Sequence, residues 1–526
     1  MLPKGITRLP IKKWTNKHEN FTHDLVENAS FKLRNPREGK RRERYHQTTK
    51  NFQWLIQHAL DNNLKLRAMG SGWSFTKVGV TEGGLIDTAS LNFSFPLTQK
   101  YVSDQYALQP EDLYFLQCGT IVYEVNNRLN AKNPPRSIKA SGASNGQTIA
   151  GALSTGTHGA AINVGAIPEF VVGLHIVTGP DTHIWLERAS YPVTSPEFVA
   201  WLDADLVQND DLFNAALVSF GSFGFIHGVM VETEPQFLLT EHRVGNIPYD
   251  HVLKSAMTTL DFSGLQLPGT GQNGELYHFE VLFNIHKFEP NDPDKGAFLK
   301  YMFKKPIDPS NPHTPLSRSN EFTYGDDLLG IISTVLDKLP GSGLLIPAMV
   351  NAMFGLAFEP KPPIQGTVKE IFNYTKFRGK VASAAIGIAI EDSPKALETI
   401  VEVNKQKPFP GGLSLRYVHG TKATLGFTKF PKTCVLEMDG VDGGKAREFY
   451  EAVWNTFEQE GIAYTLHWGK INFNLNENRV KNMYGAAAVQ SWIDARNQLL
   501  SPSVLAVFNN KFITNCGLHK VLGAIV

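Results

Sequence analysis

The chain has 526 residues, more than a single hydrophobic core usually sustains, so two domains or more are expected. Its 51 Lys and Arg balance 50 Asp and Glu, giving a formal net charge of +1, which excludes a global field for nucleic acid or an acidic surface. With 42% hydrophobic and 19% charged residues, the composition is that of a globular protein able to build a large core, without the marks of disorder or repeats.

Cys118, Cys434 and Cys516 are too few and too far apart for a disulfide framework, and no C-x-x-C spacing offers a zinc site, so no metal is expected. Residues 1–14 hold no continuous apolar segment of a signal peptide. No run of about 18 apolar residues predicts a membrane span. Together these point to a reducing, cytoplasmic location. The basic run Lys40-Arg41-Arg42-Glu43-Arg44 reads as a solvated lead-in rather than a nucleic-acid patch.

After an irregular start, Thr48 or Thr49 caps an expected helix that carries Phe52, Leu55, Ile56 and Ala59 at helical spacing and ends near 61–63. Residues 65–69 predict a short buried strand running into the turn Gly70-Ser71-Gly72-Trp73-Ser74. Residues 85–87 and 114–118 predict strands, and 120–129 an amphipathic helix with Val122, Val125 and Leu129 on one side. The stretch 142–159, G-A-S-N-G-Q-T-I-A-G-A-L-S-T-G-T-H-G, alternates glycines with hydroxyl side chains. It leaves little bulk and many backbone amides, a surface suited to a diphosphate. Two strands at 171–178 and 182–186 hinge on Gly179-Pro180-Asp181, a hairpin signal. A helix at 211–218, a third glycine turn at 220–225 and a strand at 228–234 follow. None of the turns is the G-x-G-x-x-G fingerprint, so a standard Rossmann domain is disfavoured.

R-A-M-G-S-G-W-S (67–74), the run ending at Gly159, and S-F-G-S-F-G-F-I-H-G-V-M-V-E (219–232) stand in the order and spacing of the vanillyl-alcohol-oxidase (PCMH-type) flavoproteins, which the chain resembles. The resemblance implies an α+β fold, with a two-lobed FAD-binding domain over 1–239 to which 475–526 returns. A substrate-binding cap over 240–474 would hold a large mixed or antiparallel sheet flanked by helices. It also implies that Met69, Gly70, Ser71, Gly72, Trp73 and Ser74 form the first pyrophosphate loop. Ser144, Thr148, Gly151, Thr155, Gly156, Thr157, His158 and Gly159 would form the second loop, which also lies along the isoalloxazine. Gly224 and Val229 would lie at the adenine end. Many relatives bond FAD covalently through a histidine of the first loop. Ser71 and Trp73 stand at the positions alternative alignments give that residue, and no histidine occurs between 59 and 157, so non-covalent FAD is expected.

Beyond 240 the pattern is closest to sugar-1,4-lactone and alditol oxidases and to type II cholesterol oxidases. The strand L-Y-H-F-E-V-L-F-N-I-H-K (276–287) resembles the one that begins their substrate domain and includes Glu280. Its alternation sets His278, Glu280, Leu282 and Asn284 on one face and Phe279, Val281, Phe283 and Ile285 toward the core. An apolar insertion at 322–358, read as two short helices at 328–339 and 344–356, is similar to one in type II cholesterol oxidases. A lid, an apolar pocket wall, peripheral membrane contact through 328–358, extra core and an oligomer contact all remain open uses for it. G-L-S-L-R-Y-V-H-G-T (412–421) matches the strand on which relatives place a Glu-x-Arg pair. Arg416 is kept, but Ser414 stands where the glutamate is expected. L-H-W-G-K (466–470) is close to their H-W-x-K element, and Ala495-Arg496, Pro502, Phe508 and Asn509 resemble their returning C-terminal segment.

The resemblance implies hydride transfer from the CH–OH carbon of a small-molecule alcohol to FAD, with O2 reduced to H2O2. Arg416 and Lys470 are candidates for positive charge at the reduced ring, and Glu280 and His467 for the proton. A dehydrogenase with another acceptor and a flavin-binding protein without turnover stay open. The substrate stays open between polyol or sugar lactone and a sterol or other bulky secondary alcohol.

Overall fold

The computed structural model describes residues 2–142, 144–308, 310, 313–316, 347–348, 350–351, 354, 362–372 and 380–521. Most of the apolar insertion at 322–358 therefore lies outside the described residues.

The helix expected from Thr48 begins about two turns earlier and spans Arg41–Asp61. The Lys40 N–H donates to Glu43 Oε2 at 2.9 Å, a first-turn closure that starts the helix within the basic run. Lys40, Arg41, Arg42 and Glu43 of that run are exposed, Arg42 donating to the carbonyls of Ala200 and Trp201 and Arg44 to that of Pro36. The irregular start is likewise a set of strands: β1 (Ile6–Leu9), β2 (Lys13–Thr15), β3 (Thr22–Asp24) and β4 (Ser30–Leu33). With β5 (Leu66–Met69) and β6 (Gly84–Asp87) they give a four-stranded sheet in the order β1-β4-β6-β5 and a separate hairpin β2-β3. Strands this short, without alternating apolar residues, leave no periodic signal in the sequence.

A second sheet follows from β7 (Ser94–Pro96), β8 (Leu113–Gln117), β9 (Arg136–Ile138), β10 (Val171–Val177), β11 (His183–Glu187), β12 (Asp205–Gln208) and β13 (Phe225–Pro235). Its order is β12-β11-β10-β13-β8-β7, with β9 pairing to β13. The hairpin expected at Gly179-Pro180-Asp181 is β10 and β11, antiparallel in the register Leu174 to Leu186.

The third sheet begins at residue 237. It contains β14 (Phe237–Ile247), β15 (Glu275–Phe283), β16 (Ala297–Pro306), β17 (Ile364–Thr367), β18 (Val381–Ala389), β19 (Gly411–His419), β20 (Lys432–Val441) and β21 (Tyr464–Leu466), in the order β17-β14-β16-β15-β19-β20-β18-β21. Every pairing is antiparallel. The architecture is α+β. On β15, residues 277–283 are buried on both faces, so the sheet has no solvated side there.

The chain end packs back on the first half. Trp492, wholly buried, donates from Nε1 to Val218 O at 3.1 Å, and Arg67 donates to Phe508 O at 3.0 Å. Cys118, Cys434 and Cys516 are free and buried. Among the described residues no helix is long and apolar enough to cross a membrane, and no cluster of His, Cys, Asp and Glu could hold a metal ion.

Buried histidines under the first long helix make the fold acid-sensitive. Tyr45 Oη lies 2.7 Å from His175 Nδ1, and the Tyr45 ring stacks on His227 at 3.9 Å. Gln117 Nε2 donates to His227 Nε2 at 2.9 Å. Burial first, and neighbouring imidazoles second, hold the pKa of His175 and His227 well below the usual value. With the folded pKa depressed, the stability these rings contribute is present above the unfolded pKa of about 6.5 and is lost as pH falls below it. Thermal unfolding should show a loss of up to about 1.4 kcal/mol per pH unit for each histidine kept neutral. A His227→Gln variant should flatten the slope between pH 6.5 and 5, and an unchanged slope would clear this cluster.

Candidate active site

Two glycine turns meet edge to edge. The turn after β5 and the one preceding the helix Ile149–Thr155 approach so closely that a Cβ on Gly70 would lie 2.0 Å from Thr148 Oγ1. Glycine at 70 is therefore a requirement of the contact. The cleft they frame encloses about 1530 Å³ of space, solvent at its mouth included. Met69, Gly70, Ser71, Gly72, Trp73 and Ser74 line it on one side. Ser144, Thr148, Gly151, Thr155, Thr157 and His158 line it on the other, with Gly224 at one end.

Three of the expected cofactor contacts are placed elsewhere. Gly156, with φ of 75°, ends the helix Ile149–Thr155 in the left-handed conformation and does not face the cleft. Gly159 sits behind His158, whose Nδ1 donates to its carbonyl at 3.0 Å. Val229 is wholly buried in β13 and is not among the residues that line the cleft, whereas Ile226 of the same strand lines it.

The Gly224 end is electropositive. Arg67 is wholly buried and donates to the carbonyls of Phe220 and Gly221, while Arg496 donates to Ser222 O at 2.9 Å and Asn509 Oδ1 at 2.8 Å. Burial draws the pKa of Arg67 down to about 10 and that of Arg496 down to about 9. Both guanidiniums grip the 220–222 turn by its carbonyls, which leaves positive charge buried beside the cleft. On the opposite wall Ser144 Oγ is buried without a hydrogen-bond partner among the described residues. A buried orphan hydroxyl, a crowded glycine contact and buried cations form a cradle that fits a bound diphosphate such as that of FAD.

The other end of the cleft belongs to the third sheet. Arg416 on β19 is in register with Glu280 on β15, and Ser414 with Glu437 on β20. Arg416 donates from Nε to Glu280 Oε1 at 3.0 Å and pairs through Nη1 with Glu437 Oε2 at 2.7 Å. Glu437 Oε1 lies 3.5 Å from both Lys470 Nζ and His158 Nε2. Arg416, Glu437, Lys470 and His467 line the cleft, whereas Glu280 lies behind the guanidinium. Burial by itself raises both carboxyls, but Arg416, with Lys470 at Glu437 and with His278 and Lys300 at Glu280, outweighs it and keeps both ionised. Glu280, expected as a proton acceptor, is thus a counterion to Arg416, held out of the cleft.

The missing glutamate is also explained here. At Ser414 the strand carries a small side chain, and the carboxylate of Glu437 occupies the neighbouring space from the next strand. Only strand pairing reveals this substitution, so no local motif could have found it.

Lys470 and His467 are held by a turn bonded to both halves of the chain. His467 N–H donates to Ala385 O at 3.0 Å and Ile471 N–H to Ser383 O at 2.8 Å, while Phe75 N–H and Thr76 Oγ1 donate to the carbonyls of Gly469 and Trp468. Lys470 Nζ donates to Ser383 Oγ at 2.5 Å. Burial, reinforced by His158 and Lys470, keeps His467 neutral.

The hairpin β2-β3 contributes a further wall that the sequence did not suggest. Asn20 Nδ2 donates to Val381 O and Asp442 Oδ2, both at 2.8 Å, which docks the hairpin on the third sheet. It carries Trp14 and His18 into the cleft. His18 stacks on Phe75 at 4.1 Å and meets Trp73 edge-on at 5.4 Å. A histidine therefore does reach the first loop, from a segment far outside the interval 59–157.

Residues 45–186 match the family described as FAD binding domain. The putative D-arabinono-1,4-lactone oxidase of Neurospora crassa is 27% identical over 188 residues, 36% of this chain and 28% of that protein. The L-gulono-1,4-lactone dehydrogenase of Mycobacterium tuberculosis is 28% identical over 193 residues, 36% of each chain. The chain thus spans about a third of the length of the curated relatives it matches. Among solved structures, the cholesterol oxidase from B. sterolicum shares the fold over 97% of both chains at a TM-score of 0.67 and 15% identity. The xylooligosaccharide oxidase from Myceliophthora thermophila does so over 94% of this chain and 92% of its own at 0.57 and 11%.

Proposed function

We propose, from the premise that residues 45–186 form an FAD-binding domain of the vanillyl-alcohol-oxidase (PCMH-type) family, that this chain oxidises the CH–OH group of a small-molecule alcohol. The electrons then pass to O2 with release of H2O2. The observation that carries the proposal is the cluster of Arg416, Glu437 and Lys470, which closes the same cleft that the glycine turns open. Residues 1–239 with 475–526 serve as the cofactor-binding part and 240–474 as the substrate-binding part.

Bound FAD supplies the two-electron acceptor for such an oxidation. The first and second loops and the Arg67–Arg496 end hold it, with Ser144 Oγ as a donor. Arg416 and Lys470 place fixed positive charge where negative charge develops, in surroundings of low dielectric that strengthen it. Glu280 positions Arg416 from behind. His467, with Nδ1 accepting from Gly469 N–H at 2.9 Å, presents Nε2–H to a substrate oxygen.

The charged groups Arg416, Glu437 and Lys470 at the third-sheet end of the cleft favour a polyol or sugar lactone. Anaerobic bleaching of the flavin by a panel of alditols, aldonolactones, oligosaccharides and sterols tests this. Aldonolactones or alditols should reduce it fastest, and reduction by sterols alone would overturn the substrate class. Comparing reoxidation by O2 with that by an artificial acceptor separates an oxidase from a dehydrogenase, the activity in the name of the mycobacterial relative. With Ser71 and Trp73 in the first loop, FAD is held non-covalently. Acid precipitation should release all of the flavin, and yellow precipitate would overturn that.

A further inference from the structure

Alcohol oxidation needs a group to take the hydroxyl proton, and two of the three histidines that line the cleft, His467 and His158, are wired in opposite senses. At His467 a backbone N–H donates to Nδ1, so the neutral ring carries its hydrogen on Nε2 and is a donor. At His158 the partner of Nδ1 is the Gly159 carbonyl at 3.0 Å, which can only accept. Nδ1 therefore bears the hydrogen, and Nε2 keeps its lone pair. That lone pair lies 3.5 Å from Glu437 Oε1, inside the cleft wall shared with Arg416 and Lys470.

An imidazole lone pair facing a carboxylate is an arrangement that gains on receiving a proton, because the ring becomes a cation beside an anion. Burial draws the pKa of His158 down to about 4 against the pull of Glu437, so the ring is neutral and able to accept at neutral pH. Arg416 and Lys470, also bound to Glu437, keep the carboxylate charged through the cycle. Ser414 leaves the room that Glu437 occupies across the strand pair.

We propose that His158 Nε2 is the catalytic base of this oxidation, with Glu437 stabilising the imidazolium it becomes. The inference rests on the functional reading above. The C–H bond breaks and its electron pair leaves with the hydrogen to the flavin acceptor. The O–H bond breaks and its proton moves to His158 Nε2, and the carbon–oxygen double bond forms. The hydride equivalent and this proton together make up the two hydrogens that convert O2 to H2O2.

The test uses the holoenzyme and the best alcohol of the panel. His158→Gln and, as a second variant, His158→Asn should retain FAD, read from visible absorbance. Flavin reduction should slow by roughly 10²- to 10⁴-fold, the usual range for losing a positioned base. Glu437→Gln should slow reduction and also move the acid limb of its pH profile to lower pH, because the ring loses the anion that raises its pKa. Histidine ¹⁵N spectra, with the His158 signals assigned by their loss in His158→Gln, should show the Nδ1–H tautomer at neutral pH.

Reduction within a few-fold of wild type in both His158 variants, an unmoved acid limb in Glu437→Gln, or an Nε2–H tautomer would each overturn the assignment while leaving the functional reading intact. Wild-type flavin that no alcohol reduces would overturn both.

Discussion

Arg416→Met is expected to bind FAD, to lose flavin reduction by about 10²- to 10³-fold, and to unfold more easily. The guanidinium is the centre of a buried row of charge that runs across four neighbouring strands, Lys300, Glu280, Arg416 and Glu437. Removing it takes the strongest counterion from two carboxylates that are about 1–2% exposed. Breaking a buried pair in this way costs about 3–5 kcal/mol. The loss has a signature in pH. In the wild type the depressed carboxyls contribute stability above their unfolded pKa of about 4.3, and that contribution is lost as pH falls below it. In the variant burial acts on Glu280 with its largest opposing cause removed, so its pKa rises and protonation relieves the buried charge. The gap in melting temperature between wild type and variant should therefore narrow from pH 7 to pH 4. Arg416→Met/Glu280→Gln should recover part of the stability and none of the reduction rate. A single variant that is reduced at near-normal speed removes Arg416 from the chemistry, and a gap constant in pH removes the charge argument.

Gly70→Ala should cost the protein its cofactor. The added methyl would sit 2.0 Å from Thr148 Oγ1 and 2.8 Å from Thr148 Cγ2, in a contact between two turns whose backbones are tied down elsewhere. The Met69 carbonyl accepts from Thr88 N–H at 3.0 Å, and the Thr148 carbonyl accepts from Ala152 N–H at 2.9 Å. Overpacking of this kind costs about 1–3 kcal/mol, so FAD affinity should fall by up to about a hundredfold. Because the clash is with one side chain, Gly70→Ala/Thr148→Gly should recover most of the affinity. Flavin fluorescence titration of the apoprotein checks both, and a double variant as weak as the single one would show that the turn needs glycine for its own conformation.

The resemblance carried by the three glycine turns predicted where a dinucleotide cradle lies, and most of its residues do line one cleft. Where the structure differs from it, the difference is local: Gly156 caps a helix and Val229 is buried in the core, neither lining the cleft, because a motif records spacing and not what a residue packs against. The hairpin that brings His18 and Trp14 to the cleft lay in a stretch read as irregular, since its strands are too short for periodicity to register.

By itself, then, the sequence located six strands, β5, β6, β8, β10, β11 and β13, and the three glycine turns among them, from local composition and spacing, which are properties of neighbours along the chain. The α+β class and the candidacy of Arg416, His467 and Lys470 came from the family resemblance. Tertiary structure alone decided which groups act together. The pairing of β19 with β20 puts Glu437 in the place left by Ser414, and the pairing of β15 with β19 turns Glu280 into a counterion. One carbonyl and one N–H give His158 and His467 opposite tautomers. Each of these depends on contacts between residues 21 to 279 positions apart or on the direction of a single hydrogen bond, and neither is written in any local pattern of residues.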